Sequence, residues 1–340
     1  MTRQSDLNIE RVVVGIDFSE PSLQAARWVA RHFARGAELI LVHVIHVPPA
    51  PPSFRGHSPQ RERLIETARA GAQMQLRELS ESIATGLVWP EVRVGKPSEE
   101  IVRVATEYDA DLVVVGRPEG QPGVWGCAGT TAQRVLRRSP VPVLLAREWL
   151  PAQANGGIPQ VLVAVDDSDM TSTVLGWGRY LAGRIAGEAT VLHALDNTHY
   201  TSIATPAGSP TWAELYTPRY GPPTAVTGIR DAERWLSERV RDIAGSVRMT
   251  PIVVGRLSSP AEVIIAEAEF RNAELIVVGS RGAGAVPRLL FGSVAERVLL
   301  GASRPVLVVT GQLADAQERA TSLSMAIGSE PFSDDFSHRT

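Results

Sequence analysis

Short, continuously apolar runs alternate with amphipathic segments along most of this chain. Runs such as Val12–Ile16 and Leu275–Val278 are typical of strands that are buried on both faces of a parallel sheet. Segments such as Thr171–Ile185 instead carry their apolar residues at helical spacing. This alternation predicts an α/β fold, in which parallel strands are joined by right-handed helical crossovers.

The predicted elements come in the same order in each half of the chain. In the first half we expect a helix from Ser19 to about Arg35, helices at Gln60–Ile83 and Glu99–Tyr108, and five strands: Val12–Ile16, Leu39–Val44, Val88–Val94, Leu112–Val115 and Val141–Leu145. In the second half we expect helices at Thr171–Ile185 and Asp231–Ala244, a helix capped by Ser259 with Glu262, a helix opened by Gly292-Ser293, and five strands: Val161–Val165, Ala189–Leu195, Pro251–Val254, Leu275–Val278 and Val306–Val309.

The two halves are an internal repeat. Pro97–Leu144 aligns without a gap onto Pro260–Leu307, so that Gly116 matches Gly279 and Gly129 matches Gly292. We therefore predict domains at 8–148 and 160–311, a linker rich in proline and glycine at 149–159, and a disordered tail at 312–340. The last strand of each half is an apolar edge, and pairing the two edges would place the halves about a pseudo-twofold axis.

A glycine-lined turn follows the fourth strand of the second half. Its spacing is Gly279-x2-Gly282-x9-Gly292-Ser293, which leads from a strand end into a helix. Glycines allow main-chain N–H groups to approach an anion closely, and a helix N-terminus adds partial positive charge. The spacing therefore predicts a phosphate site, although glycines that only end a strand and start a helix are the structural alternative.

This glycine pattern, followed by a closing strand rich in valine, resembles the nucleotide-binding signature of the universal stress protein family. The resemblance implies two open, parallel, five-stranded, Rossmann-like sheets of the adenine nucleotide alpha hydrolase-like type, with ATP or AMP at their carboxyl ends. Mg²⁺ enters only as a companion of ATP. The nucleotide-binding residues expected in the second half are Ala164, Val165, Asp166, Ala194, Val278, Gly279, Arg281, Gly282, Gly292, Ser293 and Val294.

The first half departs from this signature. Glu119 occupies the register of Gly282, and a carboxylate there would repel a phosphate and block close approach of the main chain. We therefore expect ATP to bind through the second half. For Asp166, helix capping together with Ser168 is the alternative to ligand binding. For Arg281, the alternative to neutralising phosphate charge is an exposed, solvated side chain.

Composition excludes several classes of function. The net charge of −3 gives no basis for binding nucleic acid, and the single lysine, Lys96, lies outside any Walker P-loop pattern. One cysteine, Cys127, and the lack of a long apolar run or a signal-peptide core predict a cytoplasmic protein without a membrane span. His43 and His46 stand three apart on a strand and point to opposite faces, and His193 repeats His43, so we expect architectural roles.

Taken together, the sequence predicts a nucleotide-binding regulator that acts through stress-response protein partners. It is expected to be an internal pseudo-dimer, which leaves a further homodimer open. An enzyme that hydrolyses ATP slowly or transfers adenylate, and a nucleotide-free scaffold, are the alternatives. The insertion at Asn197–Thr227 is either a surface loop or a lid that uses Trp212, Tyr216 or Tyr220.

Overall fold

A ten-stranded sheet forms the centre of the computed structural model, and helices cover both of its faces. The structure describes residues 7–33, 36–47, 59–83, 86–116, 131–146, 158–196, 225–256, 258–281 and 292–310. The strand order is β3-β2-β1-β4-β5-β10-β9-β6-β7-β8. All neighbours in the sheet are parallel except β5 and β10, where the two halves meet.

Every predicted strand and helix is present in the predicted order, and the first half has one further helix between its last two strands. The first half comprises β1 (Arg11–Ile16), α1 (Glu20–Phe33), β2 (Glu38–Ile45), α2 (Pro59–Ile83), β3 (Val88–Val94), α3 (Pro97–Glu107), β4 (Leu112–Gly116), α4 (Thr131–Arg138) and β5 (Val143–Ala146). The second half comprises β6 (Gln160–Ala164), α5 (Thr171–Arg184), β7 (Glu188–Asp196), α6 (Ala225–Ile243), β8 (Met249–Arg256), α7 (Pro260–Phe270), β9 (Leu275–Gly279), α8 (Ser293–Gly301) and β10 (Val306–Val309).

The largest boundary error concerns α6. The sequence predicts this helix from Asp231, whereas it begins at Ala225 and so includes the last three residues of the predicted insertion. Thr227 and Gly228 are poor helix formers, and intrinsic propensity is a weak guide when a helix packs against a sheet, as α6 does against β8. The rest of the insertion, the tail at 312–340 and most of the predicted linker lie outside the described residues.

Two hydrophobic cores lie on opposite faces of the sheet. One contains buried residues of α1, α2, α5 and α6, and the other contains those of α3, α4, α7 and α8. The central strands contribute to both cores, because successive side chains of a strand point to opposite faces. Each of these strands is therefore apolar at every position, which explains why the predicted strands read as continuous runs.

Helix α7 begins at the capping box that the sequence predicts. Ser259 Oγ accepts from the Glu262 main-chain N–H at 3.5 Å, and Glu262 Oε2 accepts from the Ser259 N–H at 2.9 Å. Pro260 occupies the first turn of this helix, as Pro97 does in α3, where a missing N–H costs no helical hydrogen bond.

The predicted pairing of the two closing strands is confirmed. Strands β5 and β10 are antiparallel, with Val306 opposite Leu145, Leu307 opposite Leu144 and Val308 opposite Val143. Since Leu144 and Leu307 are equivalent in the repeat, the pairing is symmetric about them. The two halves therefore share one continuous sheet.

Candidate functional site

The carboxyl edge of the second-half sheet has an open notch where β6 ends before β7. The last pair between these strands is Ala164 with Leu192, whereas β7 continues to Asp196 beside β8. Val165 N–H donates to the Leu192 carbonyl at 3.0 Å, so the main chain of Ala194, two residues further along, also faces the β6 side. No β6 residue lies opposite Ala194, and its main chain can serve the edge of a planar ligand.

The end of β6 is held by two side chains. His193 Nδ1 lies 3.0 Å from the Val165 carbonyl oxygen, and the Thr171 hydroxyl donates to the Asp166 carbonyl. Helix capping with Ser168 is the alternative role for Asp166. Ser168 Oγ accepts from the Met170 N–H at 3.3 Å. Met170 is the N-cap residue of α5 and makes no side-chain capping bond. Asp166 is half-buried at this edge.

Two hydrogen bonds bring the start of α8 to the end of β9. Ser280 N–H donates to the Val309 carbonyl, and Gly292 N–H donates to the Ser280 carbonyl, each at 2.8 Å. The Gly292 amide therefore bonds to the chain itself in this structure. This bond fixes where the helix begins, and the expected role of Gly292 in ligand binding stays a prediction.

The first turn of α8 keeps the features of an anion site. Gly292 is the N-cap and has no side chain, so no capping bond satisfies the amides of Ser293, Val294 and Ala295. Ser293 is exposed, and Val294 is partly buried against the core. These N–H groups have no acceptor within the helix, and together with the helix dipole they favour an anion at this point.

Gly279 has a packing reason to be glycine. A Cβ there would lie 3.3 Å from both Val174 Cγ2 and the Arg281 carbonyl oxygen. Val278 is buried beneath it, and Arg281 is exposed at the start of the loop. Gly282 lies outside the described residues.

The first half has a cavity of about 190 Å³ at the corresponding edge. Its lining includes the sequence counterparts of seven predicted second-half site residues: Gly15, Ile16, Asp17, Val44, Val115, Gly116 and Thr131. Burial opposes ionisation of Asp17, but hydrogen bonds from Ser19 and Ser22 outweigh it and lower the pKa of this carboxyl. The variant loop with Glu119, Cys127 and Gly129 lies outside the described residues.

The histidines take the positions that the sequence analysis expects. His43 Nδ1 lies 2.8 Å from the Ile16 carbonyl, which repeats the contact of His193 with Val165 in the other half. His46 instead approaches the Gly95 carbonyl at 3.3 Å. Within the described ranges, no group of three His, Cys, Asp or Glu side chains is arranged to hold a metal ion.

Sequence reasoning missed Thr171 and Ser280. The Thr171 hydroxyl bonds to the carbonyl at the end of β6, and the main chain of Ser280, an unassigned position of the glycine pattern, joins β10 to the start of α8. Ser280 is 3% exposed although it directly follows a strand, and only the tertiary structure reveals this burial.

Comparisons with known proteins agree with this geometry. The model of the universal stress protein family matches residues 8–147 and again 157–310. The chain belongs to the universal stress protein family. Universal stress protein Rv2623 of Mycobacterium tuberculosis is 27% identical over 316 residues, which cover 89% of this chain and 97% of that protein.

Solved universal stress protein structures share the fold. A universal stress protein from Archaeoglobus fulgidus is 20% identical with a TM-score of 0.61, and the match covers 89% of this chain and 97% of that one. A functionally unknown protein, PA1789 from Pseudomonas aeruginosa, is 17% identical with a TM-score of 0.57, covering 92% of this chain and 98% of that one. In the part of this family member that the structure describes, no helix has the length and apolar character that a bilayer crossing requires.

Proposed function

We propose that this universal stress protein binds ATP or AMP at the carboxyl edge of its second half, and that occupancy alters surfaces seen by stress-response protein partners. The observation that carries the proposal is the first turn of α8. It presents uncapped amides beside a strand end, and the bond between Gly292 N–H and the Ser280 carbonyl fixes its place.

The residues of this edge divide between the two ends of a nucleotide. The amides of Ser293, Val294 and Ala295, together with the Ser293 hydroxyl, would bind phosphate oxygens. Arg281, exposed next to the strand end, would neutralise phosphate charge. The open main chain of Ala194 would bond to the base edge, and Asp166 would lie beside the adenosine, as the family resemblance implies.

The second half suits a polyphosphate better than the first. Its loop has Gly282 where the first half has Glu119, so only the second half avoids a carboxylate at that register. Mg²⁺ would accompany ATP through the phosphates.

The test is a calorimetric titration of the full chain with ATP and with AMP, each with and without Mg²⁺. Ser293→Asp places a negative charge where the phosphate would bind, yet an acidic residue in the first turn favours the helix, so the variant should fold. We expect its affinity to fall by more than about tenfold, because like charges at a binding site cost several kcal/mol.

Thr130→Asp is the matched control, since Thr130 is equivalent to Ser293 in the first half. Its ATP affinity should equal that of the unaltered protein. The proposal fails if the unaltered protein binds neither nucleotide, or if Ser293→Asp binds as tightly as the control.

A further inference from the structure

The sheet ends at β3 on one side and at β8 on the other, and both of these strands carry a proline. We infer that Pro90 and Pro251 close the two outer edges to strand addition by a second copy of this chain. The inference concerns assembly and is independent of nucleotide binding.

Both prolines occupy positions whose main chain points away from the sheet. Leu39 N–H donates to the Leu87 carbonyl, and Gly95 N–H donates to the Ile45 carbonyl, so the odd-numbered residues of β3 face β2. Pro90 therefore faces outward, because alternate residues of a strand direct their main-chain groups to opposite sides. Its missing N–H leaves the β2–β3 ladder intact and removes a donor from the free edge.

The same argument holds for β8. Ala189 N–H donates to the Arg248 carbonyl at 2.9 Å, so residues 248, 250 and 252 face β7 and Pro251 faces outward. The residues opposite the two prolines on the neighbouring strands also correspond in the repeat: Pro90 lies opposite Leu41, and Pro251 lies opposite Val191. The repeat has thus placed one proline at the equivalent outward position of each outer strand.

The inner edges show the opposite arrangement. Pro142 and Pro305 also lie beside the edge strands β5 and β10, but their carbonyls accept from Val113 and Ile276, so their main chain faces their own half. Every residue of β5 and β10 that faces across the join keeps its N–H, and these two strands pair. The position of proline therefore separates the edges that pair from those that do not.

Strand β3 has a second barrier that residues 251–254 of β8 lack. Arg93 pairs with Glu91 on β3 at 2.7 Å and with Glu107 on α3 at 2.6 Å, and charges on an edge strand disfavour pairing. Residues 251–254 of β8 are uncharged, and a cavity of about 400 Å³ lies between this strand and Glu233 and Ser237 of α6. Pro251 is therefore the more important of the two prolines.

The test measures the mass of the full chain in solution over a range of concentrations, by light scattering after gel filtration. Pro251→Val restores the outward N–H, and we expect a species of about twice the mass of the unaltered protein, because two identical edges pair through a twofold axis. Pro90→Val should give a smaller increase, since Glu91 and Arg93 remain.

Two further variants distinguish the missing N–H from a general gain in apolar surface. Thr250 has an exposed side chain, but its main chain faces β7. Thr250→Val therefore adds apolar surface to the same strand without adding an outward N–H, and the mass of this variant should equal that of the unaltered protein. Adding Val253→Pro to Pro251→Val moves the proline to the next outward position and should restore the original mass. Thermal unfolding checks that each variant is folded.

The inference is overturned if folded Pro251→Val keeps the mass of the unaltered protein at every concentration. It is equally overturned if Thr250→Val associates to the same extent, or if Val253→Pro does not reverse the association.

Discussion

Leu144 and Leu307 lie directly opposite each other where the two halves of the sheet join, and they are the same residue of the internal repeat. Both side chains are almost fully buried in the core formed with α1 and α5. The neighbouring pairs, Val143 with Val308 and Leu145 with Val306, exchange under the same twofold operation. The pseudo-symmetry axis of the protein therefore passes between these two leucines.

This symmetry predicts equal energetic roles for the two leucines. Leu144→Ala and Leu307→Ala should each lower the free energy of unfolding by about 2–5 kcal/mol, as other buried leucines do. The double variant should cost less than the sum, because both changes enlarge one cavity. Denaturant unfolding of the three variants measures this, and costs that differ widely between the single variants would contradict a symmetric join.

A second contact across the join breaks the symmetry. Trp28 Nε1 donates to Glu274 Oε1 at 3.2 Å, which links α1 of the first half to the start of β9. For the equivalent tryptophan, Trp177, the described residues offer no hydrogen-bond partner to the buried Nε1. The equivalent of Glu274 is Asp111, which is shorter by one methylene and accepts from the Glu10 and Arg11 amides of its own half.

This difference makes the two tryptophans a matched pair for measurement. Trp28→Phe and Trp177→Phe remove similar ring area, but only the first removes a hydrogen bond to a buried carboxylate. We expect Trp28→Phe to cost about 1.5–3 kcal/mol more in the free energy of unfolding, the usual range for a bond to a charged group. Equal costs in denaturant unfolding would show that this bond does not stabilise the join.

The glycine loop leads to a reciprocal prediction for ATP binding. Gly282→Glu introduces into the second half the carboxylate that the first half has at Glu119, and ATP affinity should fall below detection because charge and bulk both exclude the phosphates. Glu119→Gly is the control for a change of the same kind in the other half and should leave the second-half affinity unchanged. Calorimetry on both variants, with circular dichroism to verify folding, tests the prediction, and unchanged ATP affinity in Gly282→Glu would contradict it.

Stability should fall under mildly acidic conditions because of His32, which lies at the join. Burial lowers the pKa of His32 from its ordinary value of 6.5, and the nearby charge of Arg31 lowers it further. A hydrogen bond to the Arg184 main chain and the charge of the Glu274 carboxylate act in the opposite direction, but the pKa remains lowered. With the pKa lower in the folded state, the unfolded chain binds the proton first. Stability is therefore lost as the pH falls below about 6.5 and levels off below the folded-state pKa.

The measurement compares melting temperatures at pH 7.5 and pH 5.5 for the unaltered protein and for His32→Gln. Glutamine does not titrate, so the part of the acid loss that comes from His32 should be missing in the variant. An identical loss in both proteins would assign the acid sensitivity to other groups.

The sequence by itself determined which segments are strands, their order along the chain, and the internal repeat. Runs such as Leu275–Val278 are apolar throughout because both faces of a central strand are buried, and this requirement is visible locally. The capping box of Ser259 and Glu262 and the glycine at the end of β9 were also predictable, since each depends on residues close together in the chain.

Only the tertiary structure decided how the edges are used. The choice of Gly292 N–H as the partner of Ser280, the open main chain of Ala194, and the outward position of Pro251 depend on which strands lie side by side and where each one ends. The unequal roles of Glu274 and Asp111 depend on a contact between residues more than two hundred positions apart. Local patterning specifies that a segment is a strand or a helix, whereas hydrogen bonds at the free ends and edges are set by neighbours that are distant in the sequence.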